Sequence, residues 1–157
     1  MPIRVLFVCL GNICRSPAAE AAFLHLVKHA GRQAEFVVDS AGTGAWHVGE
    51  RADPRMREAG ARRGIEVTSV ARQVAPDDFE RFDWILAMDA SNLRALRRMA
   101  PAAHHDKIRL FRDLDPDCAG EDVPDPYYGN AVDFDEVLDI VTRAARALLV
   151  ELTAPAR

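Results

Sequence analysis

Cys9 and Arg15, six positions apart, are the residues whose types and spacing most clearly indicate chemistry. A thiolate is a strong nucleophile, and the planar guanidinium fork of an arginine can bind two oxygens of a phosphate-sized anion. An apolar run at 3–8 precedes them and a helical pattern begins at Pro17, so the loop between lies where a buried strand turns into a helix. Backbone N–H groups and the helix dipole favour an anion there. The spacing therefore predicts an oxyanion cradle with Cys9 as its nucleophile.

The loop between Cys9 and Arg15 is suited to bind an anion through its backbone. Gly11 lets the chain approach a ligand closely, and the side chains of Leu10 and Ile13 fit a loop in which the backbone does the binding. Ser16 could donate a hydrogen bond to the sulfur or could be only a helix cap. The positions expected to surround the anion are Leu10, Gly11, Asn12, Ile13, Cys14 and Ser16.

An acid is also needed if the leaving group is a phenol, because a proton donor eases the departure of a group with a pKa of about 10. The stretch 111–132 is acidic and has no hydrophobic period. Asp125 is its best candidate, since Pro126 stiffens the chain and Tyr127 and Tyr128 would lie beside the acid. The alternative is that Asp125-Pro126 is only a turn and that the tyrosines only pack.

Two further residues are expected near the cradle. Ser40 ends the second predicted strand, and the carboxyl ends of neighbouring parallel strands lie side by side, although Ser40 could equally be a simple turn residue. Trp46 follows on a loop, where it could pack on the core or form a wall for a flat substrate.

Strand and helix patterns alternate along the chain, which indicates a parallel sheet covered by helices. The predicted strands are 3–8, 35–40, 82–88 and 107–110, and the predicted helices are 17–30, 54–63, a helix after Asp89 that Pro101 ends, and 134–152. We therefore expect an α/β fold, a single-domain three-layer sandwich over residues 1–157. Its four-stranded parallel sheet has helices on both faces and a phosphate-binding loop after the first strand.

The helix after the third strand supports the same edge of the sheet as the cradle. Asp89, Ser91 and Asn92 are expected to cap it, and its apolar residues Leu93, Leu96 and Met99 are expected to face inward. The acidic stretch 111–132 that follows is long for a connection, which is typical of a functional loop or of disorder.

The composition excludes several classes of protein. The 157 residues are 49% apolar and 28% charged, as in an ordinary globular domain, and the net charge of −4 argues against a general nucleic-acid binder. No leader pattern or membrane-spanning run is present, and three cysteines without a framework spacing fit a reducing compartment, so we expect a cytoplasmic protein. His25 and His29 could share a metal ion, but a solvated helix face is the better interpretation because no third ligand is evident.

Three motifs together resemble the low-molecular-weight protein tyrosine phosphatases over essentially the whole chain. They are Cys9-Leu-Gly-Asn-Ile-Cys-Arg-Ser-Pro17, Asp39-Ser-Ala-Gly-Thr43 and Asp125-Pro-Tyr-Tyr-Gly129. The resemblance implies that Cys9 is the nucleophile, Arg15 binds phosphate and Asp125 is general acid and then base. It also implies tyrosine-phosphorylated proteins as substrates, inorganic phosphate as product, and no metal or other cofactor. We further expect no membrane as a partner, because no apolar run is long enough to span one, and a monomer or weak homodimer.

The same resemblance assigns supporting roles. Asn12 is expected in a strained conformation held by Ser40, and Ser16 is expected to support the thiolate. The aromatic residues Trp46, Tyr127 and Tyr128 are expected to line the cleft for the substrate ring. Cys14 corresponds to a second loop cysteine that can bond reversibly to Cys9 under oxidation, although it could instead be a buried small residue.

Related branches of this fold remain alternatives. Ser69 stands where some similar members carry a histidine, which should perturb loop support but not chemistry. A thiol-linked arsenate reductase would need a closely spaced downstream cysteine pair, and Cys118 stands alone. Phosphoarginine phosphatases have threonine at the position of Ile13. A non-catalytic phosphoprotein-binding module would be expected to have lost the nucleophile, the arginine or the acid.

Overall fold

Four strands form one parallel sheet in the computed structural model, which describes residues 1–155. In chain order the strands and α-helices are β1 (Ile3–Cys9), α1 (Arg15–His29), β2 (Phe36–Gly42), α2 (Pro54–Ala61), α3 (Asp78–Arg81), β3 (Trp84–Ala87), α4 (Ala90–Met99), β4 (Ile108–Leu110) and α5 (Ala131–Thr153). Short 3₁₀ helices lie at Gln33–Glu35, Ala102–Lys107, Phe111–Leu114 and Pro116–Cys118. The predicted α/β class and the four predicted strands are confirmed.

β1 lies inside the sheet because both of its edges are paired, and the strand order is β2-β1-β3-β4. Val8 lies opposite Ala41 of β2 and Ala87 of β3, so the carboxyl ends of three strands meet at one edge. Cys9 is the last residue of β1 and lies at this edge. Open parallel sheets bind ligands at the carboxyl ends of their strands, so the fold positions Cys9 where such a site is expected.

Alternating side chains of β1 enter two different cores, as the two-residue period of a strand requires. Phe7 joins the core on the face covered by α1 and α5, where it packs with Phe23 and Phe134. Val8 joins the core on the opposite face, where it packs with Ile85 and with Leu96 of α4. Helices on both faces of one sheet give the predicted three-layer sandwich.

α5 begins three residues before the predicted helix because a capping box defines its start. The Asn130 side chain accepts a hydrogen bond from the Val132 N–H at 3.1 Å, and the Asp133 carboxylate accepts one from the Asn130 N–H at 2.8 Å. Its apolar side then packs on α1, which confirms the predicted final packing helix. Within residues 1–155, no helix combines the length and the hydrophobicity of a membrane-spanning segment.

The predicted inward stripe of α4 is only partly correct. Leu96 is fully buried and Leu93 is half-buried, but 42% of Met99 is exposed, so the prediction for Met99 was wrong. A spacing of three residues falls short of a full helical turn by about 60°. Leu93 and Met99 therefore lie on either side of Leu96, and Met99, the last residue of the helix, is on the solvent side.

Three further features differ from the sequence-based expectation. α1 begins at Arg15, two residues before Pro17, so the arginine and Ser16 belong to its first turn. α3 was not predicted because its four residues are too few to show a helical period. The acidic stretch 111–132 contains two short 3₁₀ helices, and it is tied to the sheet edge by the Val123 N–H, which donates to the Met88 carbonyl at 2.7 Å.

Arg72 links the cradle edge of the sheet to α3. Its Nε lies 3.1 Å from a carboxylate oxygen of Asp39, and its two terminal nitrogens donate to Asp78 at 2.9 and 3.0 Å. Asp78 is almost fully buried, and its carboxylate also accepts from the Ala75 N–H at 2.7 Å. Arg72 therefore binds carboxylates structurally, which is one of the two roles that its sequence context allows.

Glu20 of α1 lies beneath the end of β2, and its environment disfavours a negative charge. Its carboxylate accepts a hydrogen bond from the Ser40 hydroxyl at 2.5 Å. Burial raises the pKa of Glu20 from 4.5 to about 7, and nearby Asp39 adds to the rise, while Ser40 and Arg72 oppose it. The folded protein therefore keeps a proton on Glu20 over a pH range in which the unfolded chain has lost it.

We expect Glu20→Gln to stabilise the protein at alkaline pH. The proton on Glu20 favours folding fully below the unfolded pKa, and this contribution is lost as the pH rises through about 7. Gln stays neutral, so the free energy of unfolding of the variant should exceed that of the wild type by up to about 3 kcal/mol near pH 8 and match it near pH 4.5. Urea titrations under reducing conditions at both pH values measure this difference.

Glu58→Gln on the exposed face of α2 is the matched control, because its carboxylate is solvated and its replacement should show no comparable pH dependence. A stability difference for Glu20→Gln that does not change between the two pH values would mean that Glu20 is ionised in the folded protein.

Candidate active site

The loop from Cys9 to Arg15 is a closed turn anchored to the end of β2. The Cys9 carbonyl accepts from the Thr43 N–H and the Leu10 carbonyl from the Gly44 N–H, both at 2.9 Å. Gly42 permits this contact, because a Cβ there would lie 2.7 Å from the Leu10 carbonyl oxygen. The motif that begins with Asp39 thus supplies the backbone against which the first loop is built.

Asn12 determines the path of the loop. Its φ is +56°, the left-handed region that asparagine tolerates better than most residues. The conformation is held from three sides: its amide nitrogen donates to Ser16 Oγ at 2.8 Å and to Ser40 Oγ at 3.0 Å, and its amide oxygen accepts from the Arg72 N–H at 3.0 Å. Asn12 and Ser40 are both 1% exposed, so these hydrogen bonds are shielded from water.

Two hydrogen bonds surround the Cys9 sulfur. The Asn12 N–H donates to Sγ at 3.2 Å, and Ser16 Oγ lies 3.0 Å from Sγ. Since Ser16 Oγ already accepts from the Asn12 amide, its own proton is free to donate to the sulfur. The helix cap position is occupied by Cys14 instead, so Ser16 is not a cap. Both donors stabilise a negative charge on the sulfur.

Arg15 is 3% exposed and joins three segments of the chain. One terminal nitrogen donates to an Asp89 carboxylate oxygen at 2.6 Å and to the Val123 carbonyl at 3.1 Å, and the other lies 3.6 Å from Asp125 Oδ2. Burial alone would lower the pKa of Arg15, but the nearby Cys9 and the two carboxylates outweigh it and raise the pKa. Arg15 is therefore a permanent positive charge at the cradle.

Asp89, which follows β3, contacts Arg15 directly, and the start of α4 holds Asp89 in place. Asp89 is the N-cap of α4, and its second oxygen accepts from the Asn92 N–H at 2.7 Å. Asn92 is buried, and its side-chain oxygen has no hydrogen-bond partner in the described part of the chain. Ser91 is exposed and is not among the residues that line the cradle.

A cavity of about 300 Å³ opens above the cradle. The predicted residues that line it are Cys9, Leu10, Gly11, Ile13, Cys14, Arg15, Trp46, Asp125, Tyr127 and Tyr128. Asn12, Ser16 and Ser40 are buried and act on the loop through hydrogen bonds. The structure therefore brings residues from three distant motifs into one site.

The outer walls of the cavity are aromatic and exposed. The exposed fractions are 72% for Trp46, 36% for Tyr127 and 96% for Tyr128. The two tyrosine rings pack edge to face with centroids 5.0 Å apart. Large exposed rings beside an anion site provide an apolar surface for a flat substrate group.

Asp125 lines the cavity beside Arg15 of the cradle. Its side chain is 47% exposed, and its Oδ1 accepts from the Tyr127 N–H at 3.1 Å, as in an Asx turn. This hydrogen bond orients the carboxyl group, while Oδ2 points to Arg15. The turn geometry and the catalytic interpretation of Asp125-Pro126 are thus compatible.

His47 and Glu20 belong to the site, and the sequence analysis missed both. His47 lines the cavity beside Gly11, and its Nδ1 lies 2.7 Å from Glu50 Oε2. Glu20 binds Ser40 from the far side of the loop. The adjacent residues Trp46 and His47 on a loop could have indicated His47. A glutamate inside a helical pattern gives no sign in the sequence that it is buried.

The three cysteines are free thiols with different surroundings. Cys14 is 4% exposed, and burial, assisted by nearby Asp53, raises the pKa of its thiol well above the usual range. Cys118 is half-buried and is not among the residues that line the cavity. Within residues 1–155 no group of three or more histidine, cysteine or carboxylate side chains is arranged to bind a metal ion. The rings of His25 and His29 lie 4.3 Å apart and tilted, without a third ligand among the described residues.

Comparisons with known proteins agree with this geometry. The model of the family described as low molecular weight phosphotyrosine protein phosphatase matches residues 4–156. A low molecular weight protein-tyrosine-phosphatase of Streptomyces coelicolor is 50% identical over 152 residues, which cover 95% of this chain and 93% of the relative. The human low molecular weight phosphotyrosine protein phosphatase is 45% identical over 147 residues, which cover 92% of each.

Solved structures give the same result. A product-state mimic of the protein tyrosine phosphatase from Entamoeba histolytica has a TM-score of 0.92 at 39% identity and covers 99% of this chain and 98% of that chain. The crystal structure of YfkJ from Bacillus subtilis has a TM-score of 0.91 at 40% identity, with the same coverage. The chain therefore belongs to the low molecular weight phosphotyrosine protein phosphatases, which are hydrolases.

Proposed function

We propose that this protein hydrolyses phosphotyrosine in proteins, and aryl phosphates in general, through a phosphocysteine intermediate on Cys9. The observation that carries the proposal is the position of the Cys9 sulfur, which accepts hydrogen bonds at the floor of a cavity that Arg15 and Asp125 also line. A nucleophile, an anion-binding cation and a proton donor around one cavity are the three groups that this reaction needs.

In the first step, the Cys9 thiolate attacks phosphorus as the bond between phosphorus and the phenolic oxygen breaks. Arg15 and the backbone N–H groups of the loop neutralise the charge on the phosphoryl oxygens. Asp125, in its protonated form, gives its proton to the departing phenolate. The products of this step are a phenol, here the tyrosine side chain, and phosphocysteine.

In the second step, Asp125 accepts a proton from a water molecule, whose oxygen attacks phosphorus and breaks the bond to sulfur. Inorganic phosphate leaves, and the thiolate is restored. Ser16 assists here, because its free proton can stabilise the charge that returns to the sulfur. No metal ion or cofactor is required by this scheme.

The aromatic walls support the choice of substrate. Trp46, Tyr127 and Tyr128 offer surfaces on which the ring of phosphotyrosine can pack, and Ile13 lines the same cavity. We further propose that residues 1–157 are one phosphatase domain that acts in the cytoplasm as a monomer or weak homodimer. Its net charge of −4 argues against nucleic acid as a partner.

Hydrolysis of an aryl phosphate near pH 6, with excess chelator and a thiol reductant, tests the assignment. We expect turnover that the chelator does not affect, that Cys9→Ser abolishes and that Asp125→Ala lowers by about a hundredfold or more, the scale of a general acid. Cys118→Ser, the same kind of change at a cysteine outside the cavity, should keep wild-type activity.

Three results would contradict the proposal. Full activity of Cys9→Ser would exclude the covalent intermediate. Binding of phosphotyrosine without turnover by the wild type would favour a binding module. Turnover of phosphoarginine, or oxidation of thiols that depends on arsenate, at rates above phosphotyrosine hydrolysis would favour the related branches of the fold.

We expect Ser16→Ala to slow the second step more than the first. A hydrogen bond to a charged group contributes about 1.5–3 kcal/mol, so loss of the donor to the departing thiolate should lower kcat by about tenfold or more. Phosphoenzyme should accumulate and appear as a burst of phenol in rapid-mixing experiments. Thr68→Ala, which removes an exposed hydroxyl, is the control. Unchanged kcat in Ser16→Ala would mean that Ser16 only shapes the loop.

A further inference from the structure

Arg55, in the first turn of α2, contacts Asp53, which is hydrogen-bonded to the Cys9 loop, and also the turn that carries Asp125. It is not among the residues that line the cavity. We propose that Arg55 is a positioning residue that holds the Asp125 turn at a fixed place over the Cys9 loop. The proposal rests on the proposed function, in which Asp125 is the general acid.

On one side, Arg55 is fixed to the cradle through Asp53. Its Nε and one terminal nitrogen donate to the two carboxylate oxygens of Asp53 at 3.1 and 2.9 Å, and its backbone N–H donates to the same carboxylate at 2.9 Å. Asp53 is 8% exposed, and its N–H donates to the Ile13 carbonyl of the cradle loop at 2.8 Å. Asp53 therefore ties the guanidinium to the loop that surrounds the anion.

The charge of Asp53 agrees with this arrangement. Burial by itself would raise the pKa of Asp53, but the hydrogen bonds from Arg55 outweigh it and lower the pKa below its ordinary value. The pair is thus ionised at the pH values at which the cradle would work, and the bidentate geometry gives it a defined orientation.

On the other side, Arg55 binds the acid turn through backbone carbonyls. Its terminal nitrogens donate to the Tyr127 carbonyl at 3.0 Å and to the Gly129 carbonyl at 3.4 Å. The N–H of the same Tyr127 donates to Asp125 Oδ1. The residue that Arg55 holds by its carbonyl is therefore the residue that orients the acid by its N–H.

Two aromatic rings contact the guanidinium between these partners. The Arg55 Cζ lies 4.4 Å from the ring centroid of buried Phe134 and 5.7 Å from that of Tyr127. A lysine could not replace it, because an ammonium is a point charge without the planar fork that reaches Asp53 and both carbonyls at once. The arrangement needs an arginine.

The turn that carries Asp125 needs an additional contact such as the one that Arg55 makes. Asp125 is half-exposed, and its ion pair with Arg15 is long at 3.6 Å. A small misplacement of a catalytic group costs much of its contribution, because proton transfer requires hydrogen-bond distance to the leaving oxygen. Loss of Arg55 should therefore weaken proton donation while leaving the thiolate and Arg15 in place.

Comparing two leaving groups tests this inference. Phenyl phosphate needs the acid strongly, whereas p-nitrophenyl phosphate, whose phenol is more acidic, needs it less. We expect Arg55→Met to lower kcat/KM by about tenfold or more for phenyl phosphate and by less than about threefold for p-nitrophenyl phosphate. Arg55→Lys should show the same selectivity, and it takes the place of the methionine variant if that variant does not fold.

Arg57→Met is the matched control, since Arg57 lies two residues along the same helix and donates to the Ala52 carbonyl. It should change both rates by less than about twofold, because it has no contact with the acid turn that could affect proton transfer. In an Asp125→Ala background, Arg55→Met should have little further effect on phenyl phosphate, because the two changes then remove the same contribution.

The outcomes separate the two proposals. Equal slowing of both substrates by Arg55→Met, or an undiminished effect in the Asp125→Ala background, would show that Arg55 is only structural and would overturn this inference. If Asp125→Ala alone left hydrolysis of phenyl phosphate unchanged, the proposed function would fail instead, because Asp125 would then not be the acid.

Discussion

The ion pair between buried Arg15 and half-buried Asp89 is the interaction on which the geometry of the site depends. Arg15 is the first residue of α1 and Asp89 is the N-cap of α4, so a single 2.6 Å contact joins two helices on opposite faces of the sheet. The same guanidinium nitrogen reaches the Val123 carbonyl of the acidic stretch. Because the Arg15 side chain is only 4% exposed, its charge needs these partners, and its contacts hold three segments of the chain together.

A second constraint lies on the other side of the loop, where Asn12 keeps a left-handed conformation. Its side-chain amide donates to two serine hydroxyls and accepts from a backbone N–H. Each serine keeps its own proton for a different acceptor, which is the Cys9 sulfur for Ser16 and the Glu20 carboxylate for Ser40. The backbone strain is thus offset by hydrogen bonds shielded from water. Because Asn12 also directs its own N–H at the sulfur, the shape of the loop and the stabilisation of the thiolate have one cause.

Some of this could be read from local sequence. The apolar run before Cys9 predicts a strand buried on both faces, which the structure has, and Gly11 and the start of α1 predict a loop suited to bind an anion through its backbone. The order of strands and helices was sufficient to predict that the carboxyl end of the second strand and the Asp89 turn meet Cys9 at one sheet edge, but it left open whether Ser40 supports the cradle or is a simple turn residue. The error at Met99 was equally local, because three-residue spacing predicted that Met99 faces inward, whereas its position at the end of α4 leaves it exposed.

By itself, the sequence determined the chemical groups, the element order and the edge of the sheet where they meet, because spacing and hydrophobic period depend on neighbours along the chain. Only the tertiary structure decided the partners that lie far away in sequence. Arg55 and Tyr127 are 72 positions apart, and Glu20 and Ser40 come from different elements, so no local pattern could pair them. Packing decides these contacts, because a buried polar group must find its partner in whichever segment the fold brings beside it.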